Sequence, residues 1–180
     1  MIITISGFHG SGKTTVAMDL IKEFKAHKMQ YLAAGDIFRQ MAMEYQMTLE
    51  EFSEYVEQNP EIDRQIDETM VQEAKKGNVI LDGLLVAWLT QKIPGIHILL
   101  TAEEQIRINR IAERENRPYE EVRKETLARE KSEIARFKAL YNIDIYDYSI
   151  YEIVLNTGLW SQKVVSQTII MLIKEYMKSN

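Results

Sequence analysis

The octet Gly7-Phe8-His9-Gly10-Ser11-Gly12-Lys13-Thr14 fits the G-x-x-x-x-G-K-[ST] spacing of a loop that binds nucleoside triphosphates. Its glycines let the backbone curl until successive N–H groups point inward at phosphate oxygens, and the helix that follows adds its positive end. Lys13 carries a point charge to the β- and γ-phosphates, which makes it the first catalytic candidate, and the Thr14 hydroxyl can coordinate Mg²⁺. Gly7, Phe8, His9, Gly10, Ser11, Gly12, Lys13, Thr14 and Thr15 form the expected cradle for ATP. A glycine-rich turn without a ligand would not require the apolar run before it and the helical pattern after it.

That apolar run, Ile2-Ile3-Thr4-Ile5, reads as a buried parallel strand, and residues 13–27 read as the helix leaving the loop. Residues 30–34 make a short second strand ending at Gly35, and 36–45 open a helix. Thr48-Leu49-Glu50-Glu51 is a capping box for another helix. Asn59-Pro60 closes that helix and starts the next, which runs to Lys76 with Gly77 past its end. Residues 78–81 and 96–100 are two more buried strands. Thr101-Ala102-Glu103-Glu104 is expected to cap a helix through Glu115, and Pro118 to begin a long charged helix towards Tyr141. A fifth strand spans 153–155, and a closing amphipathic helix spans 161–177. Strands alternating with helices predict an α/β fold: a five-stranded parallel sheet with helices on both faces.

Residues 1–180 contain no repeat, linker or low-complexity segment, so one domain is expected. Apolar residues at 46% and charged residues at 27% are globular proportions. A net charge of −5 argues against a general nucleic-acid binder, without forbidding a small anionic ligand held by local arginines. The absence of cysteine excludes disulfides and thiolate metal sites. No leader is expected before the first strand and no apolar run reaches the ~20 residues of a membrane helix, so a cytoplasmic protein is expected. A monomer is the expected state, although no residue pattern fixes it.

Beyond the loop, six segments carry a resemblance: Ala34-Gly35-Asp36-Ile37-Phe38-Arg39, Pro60-Glu61-Ile62-Asp63, Ile80-Leu81-Asp82-Gly83, Arg107 to Glu115, Arg129 to Arg136, and Tyr141-Asn142-Ile143-Asp144-Ile145. In this order they resemble the nucleoside monophosphate kinases, most closely the archaeal-type cytidylate kinases. The resemblance implies a P-loop kinase fold with acceptor-binding helices at about 36–76 and a lid at about 107–140. It implies transfer of the γ-phosphate of ATP to CMP or dCMP. The open alternatives are an adenylate-type or other small-metabolite kinase, and an ATP-binding regulator without turnover.

Within that frame Arg39 is expected to grip the acceptor's phosphate, or else to be a solvated helix arginine. Arg129, Glu133 and Arg136 fall at i, i+4 and i+7 on one helix face. They read as a charge comb for the acceptor's ribose and phosphate, or as a surface salt-bridge face. Arg107, Arg110 and Arg114 share helical spacing in the lid, and Arg110 and Arg114 are the candidates for the transferring phosphoryl group. Asp82 ends an apolar strand and is the second expected Mg²⁺ partner, with a strand-end turn aspartate as the alternative. Asp63 is a candidate acceptor for the exocyclic amine of the base. His9, His27 and His97 lack metal-ligand spacing, and His9 is assigned no catalytic role. One departure stands out: where the family carries arginine after the acid-glycine pair, this chain has Leu84 and then Leu85. Leu84 therefore either leaves the acceptor short of one phosphate contact or belongs to the core.

Overall fold

The computed structural model describes residues 1–179. Five strands, β1 (Ile2–Ser6), β2 (Gln30–Ala33), β3 (Val79–Asp82), β4 (Gly95–Thr101) and β5 (Ile153–Asn156), form one parallel sheet in the order β2-β3-β1-β4-β5. The period-two geometry of a strand divides its side chains between two cores. Ile3, Ile5, Ile80, Ile96, Ile98 and Leu100 pack on one face against α1 (Lys13–Glu23) and α8 (Gln162–Ser179). Ile2, Val79 and Leu81 pack on the other against α4 (Pro60–Lys76) and α5 (Val86–Thr90). Both faces are covered, as expected.

Four further helices complete the walls of the cleft above the sheet. Helix α2 (Ala34–Glu44) and α3 (Leu49–Gln58) join α4 through Phe38, Ala42, Phe52, Val56, Ile62 and Ile66. Helix α6 (Glu104–Glu115) packs on α7 (Tyr119–Tyr141) through Ile108, Ile111, Ala112 and Val122. The Thr48 capping box is formed, with the Glu51 N–H donating to Thr48 Oγ1 at 3.2 Å and the Thr48 N–H donating to Glu51 Oε2 at 2.8 Å.

Several boundaries differ from expectation. Helix α1 stops at Glu23 and tightens into a 3₁₀ turn over Lys25–His27. Residue Ala34 opens α2 rather than ending β2. Thr101 does not cap α6: it pairs with Asn156 in the sheet, and Glu103 sits at the cap without a side-chain bond. The ladder claims Thr101 because a pairing between strands outweighs one local cap. Helix α5 was not expected at all. Among the described residues no helix is long and apolar enough to cross a membrane.

Candidate active site

The loop between β1 and α1 takes its shape from glycine. Gly10 has φ 77°, and a Cβ there would lie 2.4 Å from the Arg107 carbonyl oxygen, so no other residue fits without moving α6. Gly12 caps α1 at φ 97° with nothing within 4 Å of its Cβ position, which leaves the helix N-terminus open to the cleft. Lys13 Nζ donates to the Phe8 carbonyl at 3.2 Å, folding the side chain over the loop. Burial draws the ammonium below the usual lysine range, against the opposing pull of Asp82, Glu133 and Glu130. A cation strained this way gains from meeting a polyphosphate.

Asp82 at the end of β3 accepts from the Thr14 hydroxyl at 2.9 Å and from the Tyr31 hydroxyl at 3.0 Å, both on Oδ2. The structure thus brings the two expected metal residues together. Both supply hard oxygen atoms, which suits Mg²⁺, an ion that usually takes one or two protein oxygens plus phosphates and water. No cluster of three or more His, Cys, Asp or Glu able to hold a metal occurs among the described residues. The donor set fits an ion shared with a phosphate, not a resident one.

A single cleft of about 1070 Å³ runs from this loop to helices α2, α3, α4 and α7, and the site residues named from sequence line it except Ser11 and the lid residue Arg107. Ser11 is fully buried beneath the loop. Arg39, on α2, is exposed at the cleft edge and ion-paired with Asp36. Arg129 lies over the Phe38 ring at 5.3 Å and faces Glu133 at 3.4 Å. Glu133 is buried, which alone would raise its pKa; His9, Arg129 and Arg136 overcome this and hold it at about 2. His9 Nε2 lies 3.2 Å from Glu133 Oε2, so its side chain links the loop to α7 across 124 residues. Sequence gave no signal for that pairing, because nothing local to either residue records it.

Asp63, the candidate acceptor for the base amine, is no exposed helix acid: it is buried and already holds a cation. Its Oδ2 takes a 2.7 Å bond from Arg136 Nε, and both side chains are buried. Arg136 also donates to Ser132 Oγ, so the guanidinium is fixed before any ligand arrives. One turn on, Asp67 Oδ2 accepts from the Tyr141 hydroxyl at 2.7 Å.

The lid arginines separate into three kinds. Arg107 is buried under the loop, donating to the His9 carbonyl at 2.7 Å and to both oxygens of Glu130, with its guanidinium 5.2 Å from the Phe8 ring centroid. Arg110 donates to the Gly10 carbonyl at 3.3 Å, and to Thr157 Oγ1 and carbonyl at 2.9 and 2.8 Å, tying the loop to the segment after β5. Arg114 is exposed and pairs with its neighbour Glu115. Arg117, which the sequence reading passed over, lines the cleft and pairs with Glu125. Leu84 is half-buried: it lines the cleft and packs with Leu85, Phe137 and Trp88.

A family model described as an AAA domain matches residues 3–137. The cytidylate kinase of Methanocaldococcus jannaschii is 44% identical over 163 residues, 89% of this chain and 90% of its own length. That of Methanococcus vannielii is 41% identical over 177 residues, covering 97% of this chain and all of the relative. Among solved structures, shikimate kinase from Acinetobacter baumannii superposes with a TM-score of 0.60 at 16% identity, covering 97% of this chain and 93% of that one. At that identity the likeness concerns the fold.

Proposed function

The chain belongs to the cytidylate kinase family, and from that premise we propose that it transfers the γ-phosphoryl group of ATP to CMP or dCMP, giving ADP and the pyrimidine diphosphate. The observation that carries this reading is the single cleft holding both the Lys13 loop and the Arg39, Arg129 and Arg136 group. Two polyanions must be held side by side against their own repulsion, and guanidinium forks are suited to that work. Residues 36–76 take the acceptor side and residues 107–140 the lid.

Lys13 and the loop N–H groups bind the donor's β- and γ-phosphates. Thr14 would hold Mg²⁺ directly and Asp82 through its water shell; when bound, the ion neutralises charge between the phosphate oxygens. Tyr31 fixes the Asp82 carboxylate. Arg39 grips the acceptor's phosphate, and Glu133, held ionised by its cations, accepts from the ribose hydroxyls. Arg129 and Arg136 orient that end of the acceptor. Arg114 is the lid cation free to reach the transferring group, whereas Arg110 acts from the loop side through Gly10 and Thr157. The acceptor's phosphate oxygen attacks in line, so alignment and charge balance suffice without a covalent enzyme intermediate.

The protein works as a cytoplasmic monomer in this reading. ADP release measured with AMP, CMP, dCMP, UMP and GMP tests it. CMP or dCMP should be the preferred acceptor; preference for AMP, or ADP release unaffected by any acceptor, would refute it.

A further inference from the structure

Resting on the assignment of CMP as acceptor, we propose that Asp67 reads the base, directing a carboxyl O–H from Oδ1 at the N3 lone pair of cytosine while Tyr141 holds Oδ2. Asp67 lies on α4 one turn beyond Asp63, 8% exposed, and lines the cleft. Ile66, Leu84 and Phe137 give the same cleft apolar lining beside its polar groups. A flat ring in such a slot needs few polar groups, and those few set its identity. Leu84 packs against the Leu85 and Phe137 cluster, which extends that apolar lining.

The two neighbouring acids are placed in different protonation states. Burial, with the Glu133 charge, pushes Asp63 up too, but the Arg136 guanidinium bonded to it at 2.7 Å favours its charged form, so of the two acids it is the one placed to accept. Asp67 has no cation in contact; Tyr141 is its hydrogen-bond partner among the described residues. Burial, helped by the Asp63 charge, pushes Asp67 up to about 7, against the Tyr141 hydrogen bond and the more distant Arg136. The charged and titratable groups that face the pair are Arg136, Glu133 and Tyr141 from α7, Glu133 acting on Asp63 and Arg64 acting on Tyr141, while Asp67 also feels Asp63 along α4. The Tyr141 proton occupies Oδ2, so the carboxyl proton sits on Oδ1.

An acceptor beside a donor matches one edge of cytosine. The N4 amine donates to Asp63 and N3 accepts from Asp67. Uracil inverts both positions: its N3–H meets the Asp67 O–H and its O4 meets the Asp63 carboxylate. A site of this kind rejects the wrong partner strongly because its own buried polar groups are left unpaired. Raising the pH above 7 removes the Asp67 proton and with it the donor.

The test is KM for CMP, UMP and ATP in the wild-type protein from pH 7 to 9, a range above the acceptor phosphate's own ionisation near pH 6. KM for CMP should climb towards roughly tenfold per pH unit, KM for ATP should stay flat, and the CMP preference over UMP should shrink. Asp67→Asn supplies a permanent N–H donor with a carbonyl for Tyr141, and should keep KM for CMP low and flat across the range. Tyr141→Phe should move the rise to higher pH. A flat wild-type KM for CMP up to pH 9 would overturn the inference, as would an Asp67→Asn protein that keeps the rise. If Asp67→Asn does not fold, the wild-type profile still decides. Failure of the wild type to use CMP at any pH would instead bring down the acceptor assignment, and this inference with it.

Discussion

Arg107 and Arg114 sit two turns apart on the same helix, yet truncating them should damage the protein in different ways. Arg107 and Glu130 are each 7% exposed, and the guanidinium meets the two carboxylate oxygens at 2.5 and 3.2 Å. Arg107→Ala leaves Glu130 buried without a cation, which costs about 3–5 kcal/mol. For a chain of this size that is a fall in Tm of roughly 6–20 °C. Arg114 is 68% exposed, and its pair with Glu115 contributes about 0–1 kcal/mol after solvent screening. Arg114→Ala should therefore move Tm by less than about 4 °C. Its loss should show in turnover instead, by about 10²–10³ if it balances charge on the transferring group. Thermal melts without nucleotide, with steady-state kinetics below the lowest Tm, separate the two. Replacing both members of the buried pair, Arg107→Met with Glu130→Leu, should recover most of the lost stability, because no uncompensated charge remains. An Arg107→Ala protein melting within about 3 °C of wild type would refute the reasoning. So would an Arg114→Ala protein that loses as much stability as Arg107→Ala.

Lys13→Ala should reduce turnover by orders of magnitude without lowering Tm, since it removes a cation that burial already disfavours; near-normal kcat in a folded variant would contradict the loop assignment. Leu84→Arg should lower Tm and fail to tighten CMP, because Leu84 packs with Leu85, Phe137 and Trp88. A tenfold gain in CMP affinity at unchanged Tm would show that the position still faces the phosphate. His97 is buried on β4, bonded to Thr4 Oγ1 at 2.8 Å, and burial lowers its pKa. The unfolded chain then binds the proton first, so stability present at pH 8 should begin to fall as pH drops below 6.5. Tm measured from pH 8 to 5 should show that decline in the wild type and a weaker one in His97→Gln.

The fold was legible because its signals are local. The Gly7–Thr14 octet with an apolar run before it sets the strand-loop-helix unit, and the Ile3/Ile5 and Ile2 alternation in register with β3 and β4 assigns the two faces. Helix α5 escaped because Val86-Ala87-Trp88-Leu89-Thr90 is apolar on all sides and barely one turn long, with no period to detect. Thr101 was misassigned as a cap because the competing partner, Asn156, lies 55 positions later. The same holds in the site. Residue types and helix spacing nominated Arg39, Arg129, Glu133 and Arg136, but the ties of Asp63 to Arg136, His9 to Glu133 and Arg107 to Glu130 span 73, 124 and 23 residues. Those ties separate the arginines already bonded within the protein, Arg107 and Arg136, from the exposed Arg39 and Arg114.

The central claim, that one cleft grips an ATP and a pyrimidine monophosphate end to end, is tested most directly by titrating a linked ligand. Adenosine and cytidine joined 5′ to 5′ through five phosphates span both halves and leave room for the group in transit. Calorimetry should give one molecule bound per chain, with a Kd about 100-fold or more below that of ATP, since linking makes the second contact intramolecular. Lys13→Ala and Arg39→Ala should each weaken it, one from either end. Binding no tighter than ATP alone, or a Kd indifferent to Arg39→Ala, would contradict the shared cleft.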